Sequence, residues 1–320
     1  MRPNTEPSPP TGEDYQWNLE LPHIRTCDGP ENEINLIPIG NRRLVPYILL
    51  CLAVLILPAL AQAAGSEWYF SWGYNRDFWA PSSIHVVQPA LNNDFTVHDV
   101  KATDFAQWND SGYIFDKGIT VPQFNIRYGW FLESQHEYAL EFSIDHTKYN
   151  TTIGQTAHVS GMINGLPVDQ DSVLTSDYFN YRLHNGANHI MLSLVKRTPL
   201  IGELNQSLSL SLLLKGGAGV MIPHAESTIF GKESDVGPKK ASNAFGVSSG
   251  WWQLAGWTTG GEVAARFVFA RPFFFELSDK VAYAHLWNVP VYQGRADQSL
   301  WMNAVLFAFG ITTNDQNNGP

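Results

Sequence analysis

Residues 207–215 read Ser-Leu-Ser-Leu-Ser-Leu-Leu-Leu-Lys, and this alternation of polar and apolar side chains decides the fold. Successive side chains of a β-strand point to opposite faces, so the stretch predicts a strand with one leucine face and one polar face. The same period of two recurs in seven other segments, each with one aromatic or aliphatic face. The eight segments lie near residues 67–74, 123–130, 137–145, 189–197, 207–219, 254–269, 273–283 and 300–309. The sequence therefore predicts an all-β protein.

The spacing of the segments favours a closed barrel over an open sheet. The connections contain about 45, 5, 41, 9, 32, 3 and 16 residues in order, so long and short ones alternate. Outer-membrane barrels have this pattern, because short turns face the periplasm and long loops face the outside. An open sheet in lipid would leave backbone groups without hydrogen bonds. We therefore expect an eight-stranded antiparallel up-and-down transmembrane β-barrel with long, mobile extracellular loops and short periplasmic turns.

Two other architectures remain open at this point. A ten-stranded barrel results if part of residues 84–103 pairs as an additional hairpin, and a secreted soluble β-sandwich or lipocalin-like barrel would also show alternation. Asp279 interrupts the apolar face of the seventh segment, which predicts a bulge or a shifted register there.

The composition excludes several classes of protein. The chain has 320 residues, of which 44% are hydrophobic and 16% charged, so it is not a bundle of transmembrane helices. Its formal net charge of −10 argues against nucleic-acid binding, which needs a basic surface. Cys27 and Cys51 both precede residue 64, so we expect no disulfide, no thiolate chemistry and no cofactor in the exported chain.

The N-terminal part contains a segment typical of export signals. Arg42 and Arg43 precede an apolar run from Leu44 to Leu60, and Ala61-Gln62-Ala63 follows it. A basic region, an apolar region and an A-x-A end predict a signal peptide over residues 42–63, cleaved near Ala63. The alternative, a transmembrane anchor, needs a longer apolar run. Residues 1–41 are predicted to be disordered or a mis-called extension, which leaves 64–320 as the barrel and the outer membrane as its location.

The polar faces of the predicted strands carry balanced charges that would point into the barrel. Small barrels are filled by side chains, and charges in such an interior need partners. We therefore predict a salt-bridge network, centred on Arg127, Glu141, Glu262, Arg266 and Glu276, that closes the lumen. The inward-facing acids are Glu137, Glu141, Asp145, Glu262 and Glu276, and the bases are Arg127, Arg197, Lys215, Arg266 and Lys280.

Aromatic side chains are expected where the barrel meets the two membrane surfaces. Tryptophan and tyrosine settle at headgroup level because one part of each ring system is apolar and another is polar. The predicted interface aromatics are Trp68, Trp72, Trp130, Trp257 and Phe309. For Trp257, together with Trp251 and Trp252, a platform on which a sugar stacks is an alternative interpretation.

Polar residues near the outer ends of the third and fourth segments include the residue types that acyl hydrolysis uses. Acyl hydrolysis needs a nucleophile or activated water, a histidine base and a carboxylate that orients it. These residue types occur at Asp145, His146, His184, His189 and Ser193. In the alternative interpretation, His146 belongs to the interface aromatics and Asp145 pairs with Lys148 or an interior base. The ten histidines show no metal-ligand spacing, so no metal site is predicted.

Three short stretches resemble a group of uncharacterised Gram-negative outer-membrane barrel proteins. These are Asp94–Ala102, with its D-F-T and D-V-K-A parts, Asp145–Tyr149, which fits D-H-x-K-Y, and Gly161–Gly165, which fits G-x-I-N-G. The resemblance covers about residues 67–309. It implies the fold and the location, but it implies no activity and no catalytic residues.

Three functional hypotheses follow from the sequence. The first is a barrel with a closed interior that acts in envelope integrity or in surface interaction through residues 76–120 and 148–188. The second is an acyl hydrolase or transferase that modifies lipopolysaccharide at the outer rim. The third is a narrow channel for small apolar solutes. The expected partners are outer-membrane lipid, lipopolysaccharide and the barrel assembly machinery, with no nucleic acid, and the protein is expected to be a monomer.

Overall fold

The computed structural model describes residues 67–106, 122–132, 136–184, 186–204, 206–235 and 254–312. The predicted N-terminal extension and signal peptide, as well as Trp251 and Trp252, lie outside the described residues. The strands, in chain order, are β1 (Trp68–Trp79), β2 (Ser82–Gln88), β3 (Asn93–Val100), β4 (Ala102–Thr103), β5 (Phe124–Phe131), β6 (Tyr138–His146), β7 (Tyr149–Thr151), β8 (Thr156–Ile163), β9 (Leu166–Val173), β10 (Phe179–Leu183), β11 (Ala187–Ile201), β12 (Ser209–Pro223), β13 (Glu226–Ile229), β14 (Lys232–Asp235), β15 (Gly256–Ala270), β16 (Phe273–Val291) and β17 (Gly294–Thr312).

Eight of these strands form a closed antiparallel ring, which confirms the predicted fold class. The order around the ring is β1-β5-β6-β11-β12-β15-β16-β17, and β17 returns to pair with β1 from Trp79↔Met302 to Tyr69↔Thr312. All eight predicted segments are strands of this ring. Among the described residues, no helix is long and apolar enough to cross a bilayer.

The ring is apolar outside and polar inside. On β15, the outward side chains Val263 and Phe267 are 51% and 40% exposed, whereas the inward Arg266 is only 2% exposed. The single-residue alternation of burial along β15, β16 and β17 repeats this arrangement. In the barrel the charged faces of the strands therefore point inward and their aromatic faces point outward.

The two ends of the ring differ. At one end, here called the turn end, lie the C-terminal ends of β5, β11 and β15, the N-terminal ends of β6, β12 and β16, and residues 67 and 312. At the opposite end, the described parts of the connections 80–123, 147–186 and 224–255 contain the remaining strands. These strands form what we call the cap: β2, β3, β4, β7, β8, β9, β10, β13 and β14.

The structure differs from the expectation at the last connection. The sequence predicts a linker of about 16 residues between the seventh and eighth strands. Instead β16 and β17 each have 19 residues and are joined by residues 292–293. The hairpin extends beyond the ring because its inward side chains change from charged to apolar: Ala282, Ala284 and Leu286 are fully buried in the core beneath the cap.

The ten-stranded alternative is wrong. A hairpin does form within residues 84–103, as β2 and β3, but it pairs with the extended part of β17 and not within the ring. The pairing runs from Arg295↔Val87 to Gln298↔Ile84. Asp279 likewise sits in regular pairing, opposite Val305 and Val263, so the expected bulge does not occur there. Its exposed carboxylate instead accepts a hydrogen bond from Asn303.

The described parts of the long connections contain strands at positions where the sequence predicts loops. Strands β2, β3, β8 and β9 continue the barrel sheet, and β14, β13, β10, β7 and β4 form a second sheet. Both sheets contribute to one apolar core, in which Phe95, Tyr149 and Phe179 are at most 1% exposed. The β8–β9 turn contains Asn164 and Gly165, whose positive φ angles of 52° and 75° suit a two-residue hairpin.

Candidate functional site

The candidate catalytic residues Asp145 and His146 point in opposite directions. They are neighbours on β6, so the alternation of the strand places the Asp145 carboxylate in the lumen and the His146 ring outside. Asp145 binds Arg127 and Lys280. His146 Nδ1 lies 2.7 Å from Asn188 Oδ1, and its ring stacks on Phe124 with centroids 4.9 Å apart. This arrangement contains no carboxylate–histidine pair of the kind that acyl transfer needs.

Of the other catalytic candidates, His189 lies directly opposite Asp145 on the paired strands β11 and β6, but the Asp145 carboxylate binds Arg127 and Lys280. His189 is buried in the lumen, where Nδ1 lies 2.9 Å from Thr258 Oγ1. Ser193 is four residues further along β11, on the same face, and lies opposite Glu141 on β6. His184 lies in the cap, with its ring 5.0 Å from Phe105. The structure therefore brings none of these residues into a nucleophile–base–carboxylate constellation.

In the cap, burial shifts the pKa values of two neighbouring basic groups, His184 and Lys148. Burial, with a further contribution from the Lys148 ammonium, lowers the pKa of His184 to about 4. Burial also lowers the pKa of Lys148 to about 8, an effect that Glu226 opposes. His184 is therefore neutral at pH 7, and its Nδ1 lies 3.3 Å from Asn150 Oδ1. These contacts give His184 a structural role in the cap.

The lumen contains a continuous network of ion pairs at mid-height, and Arg127 is one of its centres. The Arg127 guanidinium contacts Asp145, Glu262 at 3.3 Å and Glu141 at 3.4 Å. Asp145 in turn binds the Lys280 ammonium, so ion pairs connect side chains of β5, β6, β15 and β16. All five side chains are at most 7% exposed. Such burial is tolerable only because every charge has an opposite partner.

Lys215 is the second centre of the network. Its ammonium lies 2.6 Å from Glu276, 2.9 Å from Glu262 and 3.0 Å from Glu141. Arg266 binds Glu276 at 2.7 Å and so extends the network toward the turn end. Together with the Arg127 cluster, these contacts span the ring from one wall to the other. Eight of the ten side chains that the sequence assigned to the lumen thus lie in its middle, the exceptions being Glu137 and Arg197.

A second ionic cluster closes the turn end, and the sequence analysis missed its acid. Glu67 is fully buried and receives the Arg197 guanidinium at 2.9 Å and the His136 ring at 3.0 Å. Its position two residues before Tyr69, on the polar face of the first segment, was the available signal. Glu137, which was expected in the lumen, lies before β6 and is half-buried at the rim, where its carbonyl oxygen accepts the Arg197 backbone N–H.

Aromatic and apolar side chains seal the lumen above and below the ion pairs. Toward the turn end, the Arg266 guanidinium stacks between Tyr69 and Phe274, at 3.9 and 4.2 Å from their ring centroids. Toward the cap, Met302 and Trp79 join the shared apolar core. From the cap to the turn end, the lumen is therefore filled by apolar side chains, the ion-pair network, a second apolar layer and the Glu67 cluster.

The predicted interface aromatics all point away from the lumen. Trp68 and Trp130 pair across β1 and β5 at the turn end. Phe309 belongs to a cluster of rings, also at the turn end, on β15, β16 and β17. Trp257 packs on Tyr283 near the cap, with centroids 5.4 Å apart. Trp72 lies on β1 between these levels. In the described part of the chain, no group of three or more histidine, cysteine or acidic side chains could hold a metal ion.

Comparisons with known proteins give likenesses to solved structures only. No family model and no curated protein matches the chain. Neisserial surface protein A is 10% identical, with 78% of this chain and 97% of that chain covered and a TM-score of 0.32. Outer membrane protein OprG from Pseudomonas aeruginosa is 15% identical, with 78% and 97% covered and a TM-score of 0.34. The outer membrane protease OmpT from Escherichia coli is 7% identical, with 78% and 96% covered and a TM-score of 0.29.

Proposed function

We propose that the protein is an outer-membrane β-barrel whose closed lumen passes no solute and whose cap presents a folded β-surface to the cell exterior for surface interaction. The observation that carries this proposal is the opposite polarity of two connected parts. The ring has charges inside and apolar side chains outside, whereas the cap has an apolar core and a polar surface. A chain with both arrangements fits a molecule that stands partly in lipid and partly in water.

The height of the apolar outer surface supports the membrane assignment. On β16, the outward rings Phe273 and Tyr283 are separated by ten residues. At about 3.3 Å per residue and a tilt of about 40°, this distance corresponds to a band about 25 Å tall. Outer-membrane barrels have an apolar band of about this height, flanked by aromatic side chains.

The filled lumen supports a role other than transport. A solute would have to break several buried ion pairs, such as Lys215–Glu276 at 2.6 Å, and then pass the apolar core beneath the cap. Removing one partner of a buried ion pair is costly, so the network resists opening. Outer-membrane lipid, lipopolysaccharide and the barrel assembly machinery are the partners of this proposal, with export through a cleaved signal peptide, a monomeric state and a contribution to envelope integrity.

The test combines insertion, conductance and topology. The full chain, reconstituted in lipid, is expected to migrate differently on a gel with and without boiling, and to give no conductance in planar bilayers. A general porin reconstituted in the same bilayers serves as the positive control for conductance. An epitope inserted after Gly165, in the β8–β9 turn, should be labelled by antibody on intact cells. Conductance of the wild-type protein, or labelling only after lysis, would contradict the proposal.

A further inference from the structure

A polar cleft lies where the cap meets the barrel, on the outer side of the extended β16–β17 hairpin. Its volume is about 440 Å³. The side chains that line it and carry the argument are Ser83, Asp99, His285, Asp297 and Ser299. They come from β2, β3, β16 and β17, so the cleft exists only because the hairpin extends beyond the ring and the cap sheet pairs with it.

The cleft contains carboxylates, which accept hydrogen bonds, and histidine and serine side chains, which can both donate and accept them. The His285 Nδ1 and Ser299 Oγ atoms lie 2.8 Å apart, which fixes both side chains across the β16–β17 pair. Asp297 accepts the backbone N–H of Asn288 at 2.7 Å through one oxygen. Asp99 belongs to the β3 end of the cleft, where its backbone N–H donates to Ser83 Oγ at 3.4 Å. Hydroxyls and carboxylates placed side by side match a ligand with neighbouring hydroxyl groups.

The strand beneath the cleft is fixed by a buried hydrogen bond on its other face. Gln298 points away from Asp297 and Ser299 into the core beneath the cap, where its Nε2 donates to Ser82 Oγ at 2.9 Å. The cleft is therefore formed by the outward side chains of the extended hairpin.

The charge of the cleft selects among ligands. None of the described residues that line it is lysine or arginine, whereas two are aspartates. Phosphate and sulfate groups are recognised by basic side chains, so an anionic ligand is disfavoured. The lining also lacks the extended apolar wall that a lipid chain would need. Neutral or amine-bearing polyols remain as the chemical class that fits.

Aromatic rings lie next to the cleft, two residues along each strand toward the turn end. Trp301 follows Ser299 on the same face of β17 and is 56% exposed. It packs against Tyr283, which precedes His285 on β16, with ring centroids 5.0 Å apart. An exposed aromatic surface beside a polar cleft suits a sugar ring, which has an apolar C–H face and polar hydroxyl edges.

We infer that this cleft binds a neutral or amine-bearing hexose unit of a glycan, through hydroxyl contacts to Asp99, Asp297 and His285. The inference rests on the proposed function, because it names the chemistry of the surface interaction. The sugar can come from a glycolipid headgroup in the outer leaflet or from a free glycan. Both sources present the same hydroxyl groups, and the experiment separates them.

The experiment uses the full chain in phospholipid nanodiscs and follows tryptophan fluorescence during titration with glucosamine, glucose and glucose 6-phosphate. Glucosamine and glucose should give a saturable change, and glucose 6-phosphate should bind more weakly. Asp99→Asn and His285→Ala should each weaken glucosamine binding about tenfold, as expected for one lost hydrogen bond to a charged or polar group. Asp94→Asn is the matched control, because Asp94 is an exposed β3 aspartate outside the cleft, paired with His85 at 2.7 Å.

A second arm compares nanodiscs that contain lipopolysaccharide with nanodiscs of phospholipid alone. A change seen with the free sugars supports a soluble glycan, and a change that appears only with lipopolysaccharide and is lost in Asp99→Asn supports a glycolipid headgroup. Equal affinity of the wild-type protein and both cleft variants, or preference for glucose 6-phosphate, would overturn the inference. Gel mobility and conductance are measured on the same samples, so the proposed function can stand when the sugar site fails.

Discussion

The barrel and the cap are built from the same alternating strands, yet they bury opposite faces. In the barrel, Arg127 and Glu141 are at most 2% exposed while Phe307 is 49% exposed. In the cap, Phe95 is 1% exposed while the Asp169 side chain is 83% exposed. The strand itself does not determine which face is buried. The medium that contacts the outer surface does, because apolar groups leave water and charges leave hydrocarbon.

The difference also separates two ways of stabilising a β-structure. The cap has an ordinary core, in which apolar area is removed from water. The inside of the barrel is held by ion pairs whose desolvation is offset only when each charge meets its partners. The consequences of a substitution should therefore depend on the region in which it lies, and four experiments test this dependence.

The largest effect is expected from Lys215→Met in the lumen. This substitution leaves Glu141, Glu262 and Glu276 without the ammonium that contacts all three. Loss of one partner from a buried ion pair costs about 3–5 kcal/mol of unfolding free energy. Urea titration of the folded protein in lipid, followed by tryptophan fluorescence, measures this change.

Lys196→Met is the matched control for that experiment. Lys196 lies on the same barrel wall but points outward, and its ammonium sits 5.8 Å from the Tyr138 ring centroid. Lys196 lies five residues from the turn end of β11, so its ammonium reaches toward the membrane surface, and we expect its loss to change the unfolding free energy by about 0.5–1 kcal/mol. Similar losses of unfolding free energy in the two variants would show that the inward Lys215 stabilises the protein no more than the outward Lys196 does.

A somewhat smaller and local effect is expected from Phe95→Ala in the cap. Phe95 packs against Phe179 and Phe230, with ring centroids 6.4 and 5.3 Å apart. Truncation of a buried phenylalanine costs about 3 kcal/mol, here from the stability of the cap. Hydrogen exchange should become faster in β2, β3 and β8, while gel mobility without boiling still reports a folded barrel. A simultaneous loss of the folded barrel band would mean that cap and ring unfold together.

The ring could be predicted from the sequence because its signal is local. Alternation along Phe273, Phe275 and Leu277 indicates a strand wherever it occurs, and the linker lengths indicate how consecutive strands connect. The inward charges followed from the same alternation. The partners of each charge did not, because they depend on the relative shift between strands around the closed ring. Lys215, for example, contacts Glu276 from β16, two strands away.

The cap was the main part that the sequence analysis failed to predict. Its strands alternate too, as Ile84 and Val86 or Tyr181 and Leu183 show, but they lie within segments that were interpreted as loops because of their length. The candidate catalytic set failed for a simpler reason. Asp145 and His146 are consecutive residues of a predicted strand, so their side chains had to point to opposite faces. The cleft depended on the unforeseen extension of β16 and β17.

Two valine-to-lysine substitutions test directly whether the barrel wall contacts lipid and the cap surface contacts water. Val263 on the barrel wall and Val173 on the cap strand β9 are similarly exposed, at 51% and 54%. Val263→Lys should cost about 2–4 kcal/mol because it places an ammonium in hydrocarbon. Val173→Lys should change stability by at most about 0.5 kcal/mol because the cap surface is in water. Urea titration in lipid measures both variants, and equal costs would contradict the assignment of this barrel face to the membrane.

The smallest effect is expected from the histidine on the outer surface of the cap. Hydrogen bonds to Asp171 and Asp169, at 3.1 and 2.9 Å, raise the pKa of His158 above its ordinary value. Because the pKa is higher in the folded state than in the unfolded state, the pair stabilises the cap below about pH 6.5, and this contribution is lost as the pH rises through the raised value. Titration of the imidazole by NMR should show a lower pKa in Asp171→Asn and no change in Asp94→Asn, and added salt should reduce the difference because the pair is exposed. The same pKa in wild type and Asp171→Asn would mean that exposed pairs on the cap surface, unlike the ion pairs of the lumen, exert no measurable electrostatic effect.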